Sequence, residues 1–226
     1  MNIKNKLLPL LIATASLTAA GCDTASESPW SPSGGSSNNI VSAKNFSLVF
    51  SDLSPDVYET ATSITTNGIE VEVTVNAGDR FQAKVTGGTV FFRTEVGLLD
   101  NSSCELVDGS CTVTWFSNIV PGDVPADGIN TISAYMIGEE GFSDLNGNGI
   151  FDDGDIFTHD SSDPFLDLSH DGNNPTYNPG VDALIVDTDY TDANALYSGS
   201  GCAHSSLCAS TTRTYIYDTQ EMDLAY

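Results

Sequence analysis

The run Asp144-Leu145-Asn146-Gly147-Asn148-Gly149-Ile150-Phe151-Asp152-Asp153-Gly154-Asp155 has the residue types and spacing to ligate a hard cation. Counted from Asp144, oxygen-bearing side chains stand at positions 1, 3, 5, 9 and 12: Asp144, Asn146, Asn148, Asp152 and Asp155. Short Asp and Asn side chains on alternate residues turn inward around one ion, and Gly149 at position 6 permits the sharp bend. The carbonyl of Ile150 is placed to donate at position 7, and Phe151 at position 8 to anchor the loop in a core. An all-oxygen set suits Ca2+, whereas Mg2+ keeps its waters and seldom takes an all-protein cage.

This spacing resembles that of EF-hand calcium loops, with two departures. Position 12 is Asp155 instead of Glu, and the flanks Gly141-Phe142 and Ile156-Phe157 do not read as helices. The expectation is a calcium loop without paired helices and without sensor-like opening; outside a cell, affinities of about 10⁻⁴–10⁻³ M suffice. The competing reading is a solvated Asp/Asn/Gly loop that matches by composition. Two echoes follow. Asp167-Leu168-Ser169-His170-Asp171-Gly172 restarts the pattern, Asn173-Asn174-Pro175 reads as inserted, and Asn178 falls at position 9. Position 12 is then Val181, which cannot ligate by its side chain, so Asp182 is the substitute. The third echo, Asp187-Thr188-Asp189, lacks the glycine.

These loops sit in an acidic chain. Seven Lys plus Arg face 31 Asp plus Glu across 226 residues, a formal net charge of −24. Nucleic acid is excluded as a partner, because counterion release needs clustered Lys and Arg. Between Arg93 and Arg213 there is no Lys or Arg, and Asp144 to Asp192 holds twelve Asp and no Glu. Carboxylates so crowded repel one another unless cations are bound, so cation binding would supply folding free energy there. A stretch of roughly 70 residues without helices or a steady strand pattern also needs something to organise it. Phe157, Pro164-Phe165-Leu166 and Ala183-Leu184-Ile185-Val186 recur between the loops as packing links.

The elements that must carry the loops read as β. Ile69, Val71, Val73 and Val75 alternate with Glu70, Glu72 and Thr74, and Cys111, Val113 and Trp115 alternate with Thr112 and Thr114. Phe46–Phe50, Thr89–Thr94 and Thr131–Ile137 are further candidates, separated by turn signals such as Asn67-Gly68, Gly87-Gly88 and Asp108-Gly109. Thr212 to Tyr217 reads as a returning last strand. The fold class predicted is all-β: a β-sandwich over 45–138, an acidic calcium-binding insertion over 139–210, and a final strand and tail over 211–226.

The order of Ile69 to Val75, Asp79-Arg80-Phe81, Gly88-Thr89-Val90-Phe91-Phe92, Asp108 to Trp115, Pro125 to Gly128 and Ile137-Gly138-Glu139-Glu140 resembles bacterial Ig-like domains of the invasin and intimin type. Many members have a Gly-Asn-Pro turn after the Asp, where Gln82-Ala83-Lys84 stands here. The resemblance, over roughly 45–142, implies a rigid spacer or adhesive module with no catalytic residues to carry over.

Lys4, Lys6 and the apolar run Leu7 to Ala20 form a signal, too short to span a membrane comfortably. It ends in Thr18-Ala19-Ala20-Gly21-Cys22, which resembles a lipoprotein lipobox, with Ala19 where Leu, Val or Ile is preferred. Residues 1–21 are thus expected to be removed, Cys22 lipidated, and 22–44 to act as a tether reaching on the order of 20 Å, the competing reading being an ordinary secretory signal cleaved near Ala20. The expected location is the bacterial envelope, anchored by acyl chains, with the outer membrane or cell surface ahead of the inner membrane. The remaining Cys104, Cys111, Cys202 and Cys208 suit disulfides, with three connectivities open. The local pairs are favoured because each closes a short loop, and a zinc site would lack the C-x-x-C spacing.

No G-x-S-x-G, H-E-x-x-H or P-loop occurs, and His159, His170 and His204 are scattered among Asp and Ser. No catalytic residue is assigned, and the chain is read as a non-enzyme. The expected function is a lipid-anchored, calcium-stabilised envelope protein with a structural or adhesive role toward a protein or glycan surface. A calcium-dependent glycan-binding module is the alternative, ahead of a hydrolase using paired Asp.

Overall fold

Val71, Val73 and Val75 are buried on alternate positions of one strand in the computed structural model, which describes residues 38–60, 63–64, 68–119, 122–171, 175–188 and 193–224. Cys22, the expected signal and most of the tether lie outside the described residues. After a 3-10 turn at Ala43–Asn45 come β1 (Phe46–Phe50), β2 (Tyr58–Thr60), β3 (Ser63–Ile64), β4 (Glu70–Ala77), β5 (Thr89–Thr94), β6 (Leu98–Leu99), β7 (Ser103–Glu105), β8 (Ser110–Phe116) and β9 (Ile129–Gly138). The acidic stretch holds β10 (Gly141–Ser143), β11 (Ile156–His159), β12 (Phe165–Leu166) and β13 (Ala183–Leu184), and β14 (Thr214–Asp223) follows it. The protein is all-β, and these strands pair antiparallel throughout.

Two four-stranded sheets, ordered β1-β4-β8-β6 and β14-β9-β5-β7, do the main packing. Phe46, Leu48, Val73, Val113 and Trp115 of the first and Val90, Phe92, Ile132, Met136, Ile216 and Met222 of the second belong to one hydrophobic cluster. Burial of this apolar surface, at roughly 25 cal/mol per Å², is the main favourable term for the sheets. Cys104 of β7 is bonded to Cys111 of β8, a covalent link between the two sheets across a short turn. The second disulfide joins Cys202 to Cys208.

β9 and β14 pair in unbroken register from Gly138↔Thr214 to Ile129↔Asp223, so residues 139–213 leave and re-enter the fold between neighbouring strands. β9 is buried at eight of ten positions, Thr131 and Ser133 included. The acidic stretch covers its outer face: Ser133 Oγ donates to the Phe165 carbonyl at 2.8 Å, and the Phe165 ring lies 5.6 Å from that of Tyr217. Within that stretch β10 pairs with β11 and β12 with β13, two short hairpins.

Candidate metal centre

The loop between β10 and β11 is Asp144 to Asp155, and its oxygen-bearing side chains turn inward. Asp144 Oδ1 accepts from Gly147 N at 2.7 Å and Asn148 N at 3.3 Å, while Oδ2 accepts from Gly149 N at 2.7 Å. The Asn146 and Asn148 amides both donate to Asp152, at 3.0 and 2.7 Å. Their own carbonyl oxygens accept from Asn148 N and Ile150 N. Asp155 closes the loop, Oδ1 accepting from Leu145 N at 2.9 Å and Oδ2 from Asp152 N at 3.1 Å. Gly149 has φ +73°, and a Cβ there would stand 2.3 Å from the Phe81 ring, so glycine is required by both backbone and packing.

The loop is fixed from below. Phe151 is fully buried in a small cluster with Phe142 and Tyr197, at ring separations of 5.3 and 4.9 Å. Arg80 ties the loop to the sheets. Its Nη1 donates to the Gly149 carbonyl at 3.0 Å, while Nε and Nη2 grip the buried Glu139 carboxylate at 2.8 and 2.5 Å. Nη2 also donates to Ser200 Oγ, beside the Cys202–Cys208 bridge. Next to it, Glu140 is 1% exposed and accepts from Ser161 N and Ser198 N. Burial pushes its carboxyl up to about 7, against the lowering effect of those two N–H groups, and the nearby Asp160 charge adds to the rise.

The second loop joins β12 to β13. Asp167 is 1% exposed; its Oδ1 accepts from Ser169 N, Ser169 Oγ and His170 N, and its Oδ2 is buried with no partner. Asp182, 7% exposed, accepts Leu168 N and Ser169 N on Oδ1 and Asn178 N on Oδ2. Asp182 therefore occupies the closing place, and Val181 faces out at 48% exposure. Asp171 and Asn178 are exposed, and Asp171 Oδ2 accepts weakly from Thr176 Oγ1 at 3.5 Å. His170 (φ +50°) bridges to the sheets, its ring meeting Asp127 at 2.5 Å and Glu95 at 3.2 Å. Burial pulls the imidazole down, but its bonds to Asp127 and Glu95 and their charges outweigh this and raise it.

Thr188, beside Asp187, bonds the buried Asp163 through both N and Oγ1, and Asp189 lies outside the described residues. Among the described residues no three His, Cys, Asp or Glu stand together as a metal cluster; the groups that meet are the Asn146 and Asn148 amides on Asp152 and the Ser169 hydroxyl on Asp167. The metal-donor atoms that Asp, Asn and Ser side chains can offer are all oxygens, the chemistry of a hard cation and not of zinc. Arg80, Glu139, Glu140 and the His170 bridge escape sequence reading, since their partners are far apart in the chain. The one available signal is Arg80 itself, one of only seven Lys plus Arg in the chain. No family model matches this chain, no curated protein matches it, and no solved structure matches it.

Proposed function

We propose that the protein is a lipid-anchored, calcium-stabilised, Ig-like sandwich protein of the bacterial envelope, with a structural or adhesive role and no catalytic function. The observation that carries this reading is the Asp144–Asp155 loop. The Asn146 and Asn148 amides meet on Asp152 there, Asp144 and Asp155 gather the loop's own backbone N–H groups, and no Lys or Arg is among the partners of Asp144, Asp152 or Asp155. Asp144, Asn146, Asn148, Asp152 and Asp155, with the Ile150 carbonyl, would hold the ion, and calcium would offset the mutual repulsion of the carboxylates. The two facing four-stranded sheets support the sandwich part of the reading. Melting the protein in calcium and in EDTA tests it. Calcium at 100 times its Kd should add about 2.7 kcal/mol of stability; an unchanged midpoint would overturn the proposal.

A second reading, calcium-dependent glycan binding, is favoured by one feature. Phe91, 43% exposed, stacks on Tyr135 at 5.5 Å, and Tyr135 meets Tyr215 at 6.3 Å on the outer face of the second sheet. Sugar retention on a glycan array, reversed by chelator, would decide for it.

A further inference from the structure

The two hairpins repeat one design down to single hydrogen bonds. Phe142 stands two residues before Asp144, and Phe165 two before Asp167. Phe142 packs on Phe151 at 5.3 Å, and Phe165 on Tyr177 at 5.7 Å, each partner directly preceding the position-9 residue. After the loops, Phe142 pairs with Phe157 and Phe165 with Leu184, each two residues beyond the closing Asp. Asp155 accepts Leu145 N on one oxygen and Asp152 N on the other. Asp182 does the same with Leu168 N and Asn178 N, the residues at positions 2 and 9 of its own loop.

They differ in what the carboxylates lack. In the first loop all six oxygens of Asp144, Asp152 and Asp155 accept a hydrogen bond. In the second, Asp167 Oδ2 is buried and unpartnered, and Asp167 and Asp182, both nearly solvent-free, accept the same Ser169 N–H at 3.0 Å each. A buried pair of like charges sharing one donor, with one oxygen left over, is strongly unfavourable without a positive charge. The first loop satisfies its carboxylates through its own backbone and the Asn146 and Asn148 amides; the second leaves one oxygen unsatisfied.

We infer that the second hairpin is the tighter divalent-cation site of the pair, with Asp167 and Asp182 as its charged ligands and Ser169 Oγ beside them, and that its ion fixes the insertion to the β14-β9-β5-β7 sheet. This rests on the calcium reading above. The coupling to the sheet is direct: Asp167 Oδ1 holds His170 N, and the His170 ring bonds Asp127 and Glu95. Phe165, two residues earlier, accepts from Ser133 of β9.

Hydrogen exchange on the full chain, with Ca2+ titrated back after EDTA, tests the order. The amides of Leu168, Ser169 and His170 should become protected at a free calcium concentration on the order of tenfold lower than those of Leu145, Gly147 and Gly149. Protection of the first loop before or together with the second overturns the inference and leaves the calcium reading standing. No response in either loop overturns both. Asp167→Asn supplies a second test by native mass spectrometry and melting. Oδ1 accepts three donors, so the new Nδ2 takes the place of the unpartnered oxygen. The tightest ion should be lost while the calcium-free melting midpoint rises; a retained tightest ion or a fall in that midpoint overturns the proposal.

Discussion

The paired sheets and the acidic insertion solve the same problem, satisfying a buried backbone, by different means. In the sheets the ladder does it: β4 pairs with β8 from Glu70 to Asn76 and with β1 from Val73 to Ala77, and side chains are free to be apolar. In the insertion carboxylates do it. Asp144, Asp155, Asp160, Asp163, Asp167, Asp182 and Glu140 each accept backbone N–H groups, and the apolar packing among the described residues is small, Phe142, Phe151 and Tyr197 in one cluster and Phe165 against Tyr177 and Tyr217. A ladder is indifferent to salt, calcium and proton concentration. A scaffold of carboxylates is not, because each acceptor carries a charge that burial makes costly. Conditions should therefore act on the insertion first and on the sheets through it.

The largest effect is expected where the two regions are joined. Arg80→Ala leaves Glu139, which is fully buried, without its cation and removes the bond to Gly149. A loss of about 3–5 kcal/mol in urea unfolding is expected, and a loss under 1 kcal/mol would mean the regions are held together elsewhere. Gly149→Ala acts at the same joint through shape. It combines a left-handed backbone with a Cβ inside the Phe81 ring contact, for an expected loss of about 2–3 kcal/mol. Paired replacement of Cys202 and Cys208 by Ser should cost about 2–3 kcal/mol by loop entropy. It should raise exchange at Phe151 and Ala203, whose N–H groups bond across that segment, while leaving β4 and β8 protected. Uniform loss of protection would show that the insertion and sheets unfold as one.

Legibility followed the same division. β4 and β8 could be read because each has one buried face, so Val71, Val73, Val75, Cys111, Val113 and Trp115 fall into period two. β9 could not be bounded that way, since the insertion buries Thr131 and Ser133 on the face that ought to be wet. β14 runs on through Asp218 to Asp223, a polar stretch whose strand character comes from pairing with β9, not from pattern. In the insertion the side chains that meet in the first loop follow from local spacing. What spacing cannot show is the long-range set, Arg80 with Glu139, Glu140 with Ser161 and Ser198, and His170 with Glu95 and Asp127. Nor does it show that Asp167 is nearly solvent-free where Asp144 is only partly buried.

The gentlest perturbation, pH, separates the regions most selectively. Glu140 staples the two ends of the insertion, and its carboxyl is pushed up to about 7 from 4.5, by burial first and by Asp160 after the opposing N–H bonds. Between those values the unfolded chain has released this proton and the folded chain still keeps it. The unfolded state binds fewer protons, so stability falls as pH rises: this contribution is complete below 4.5 and lost on passing through about 7. The slope has a ceiling of about 1.4 kcal/mol per pH unit for one proton. Glu140→Gln should be less stable overall, because one N–H loses its acceptor, yet it should lack this component of the slope at fixed calcium. Urea midpoints for the two proteins from pH 4.5 to 8 measure the difference. Parallel curves would mean that Glu140 ionises alike in both states and that the staple is not sensitive to protons. A converging pair, followed by exchange at Ser161 and Ser198, would place the pH response in the insertion and not in the ladder.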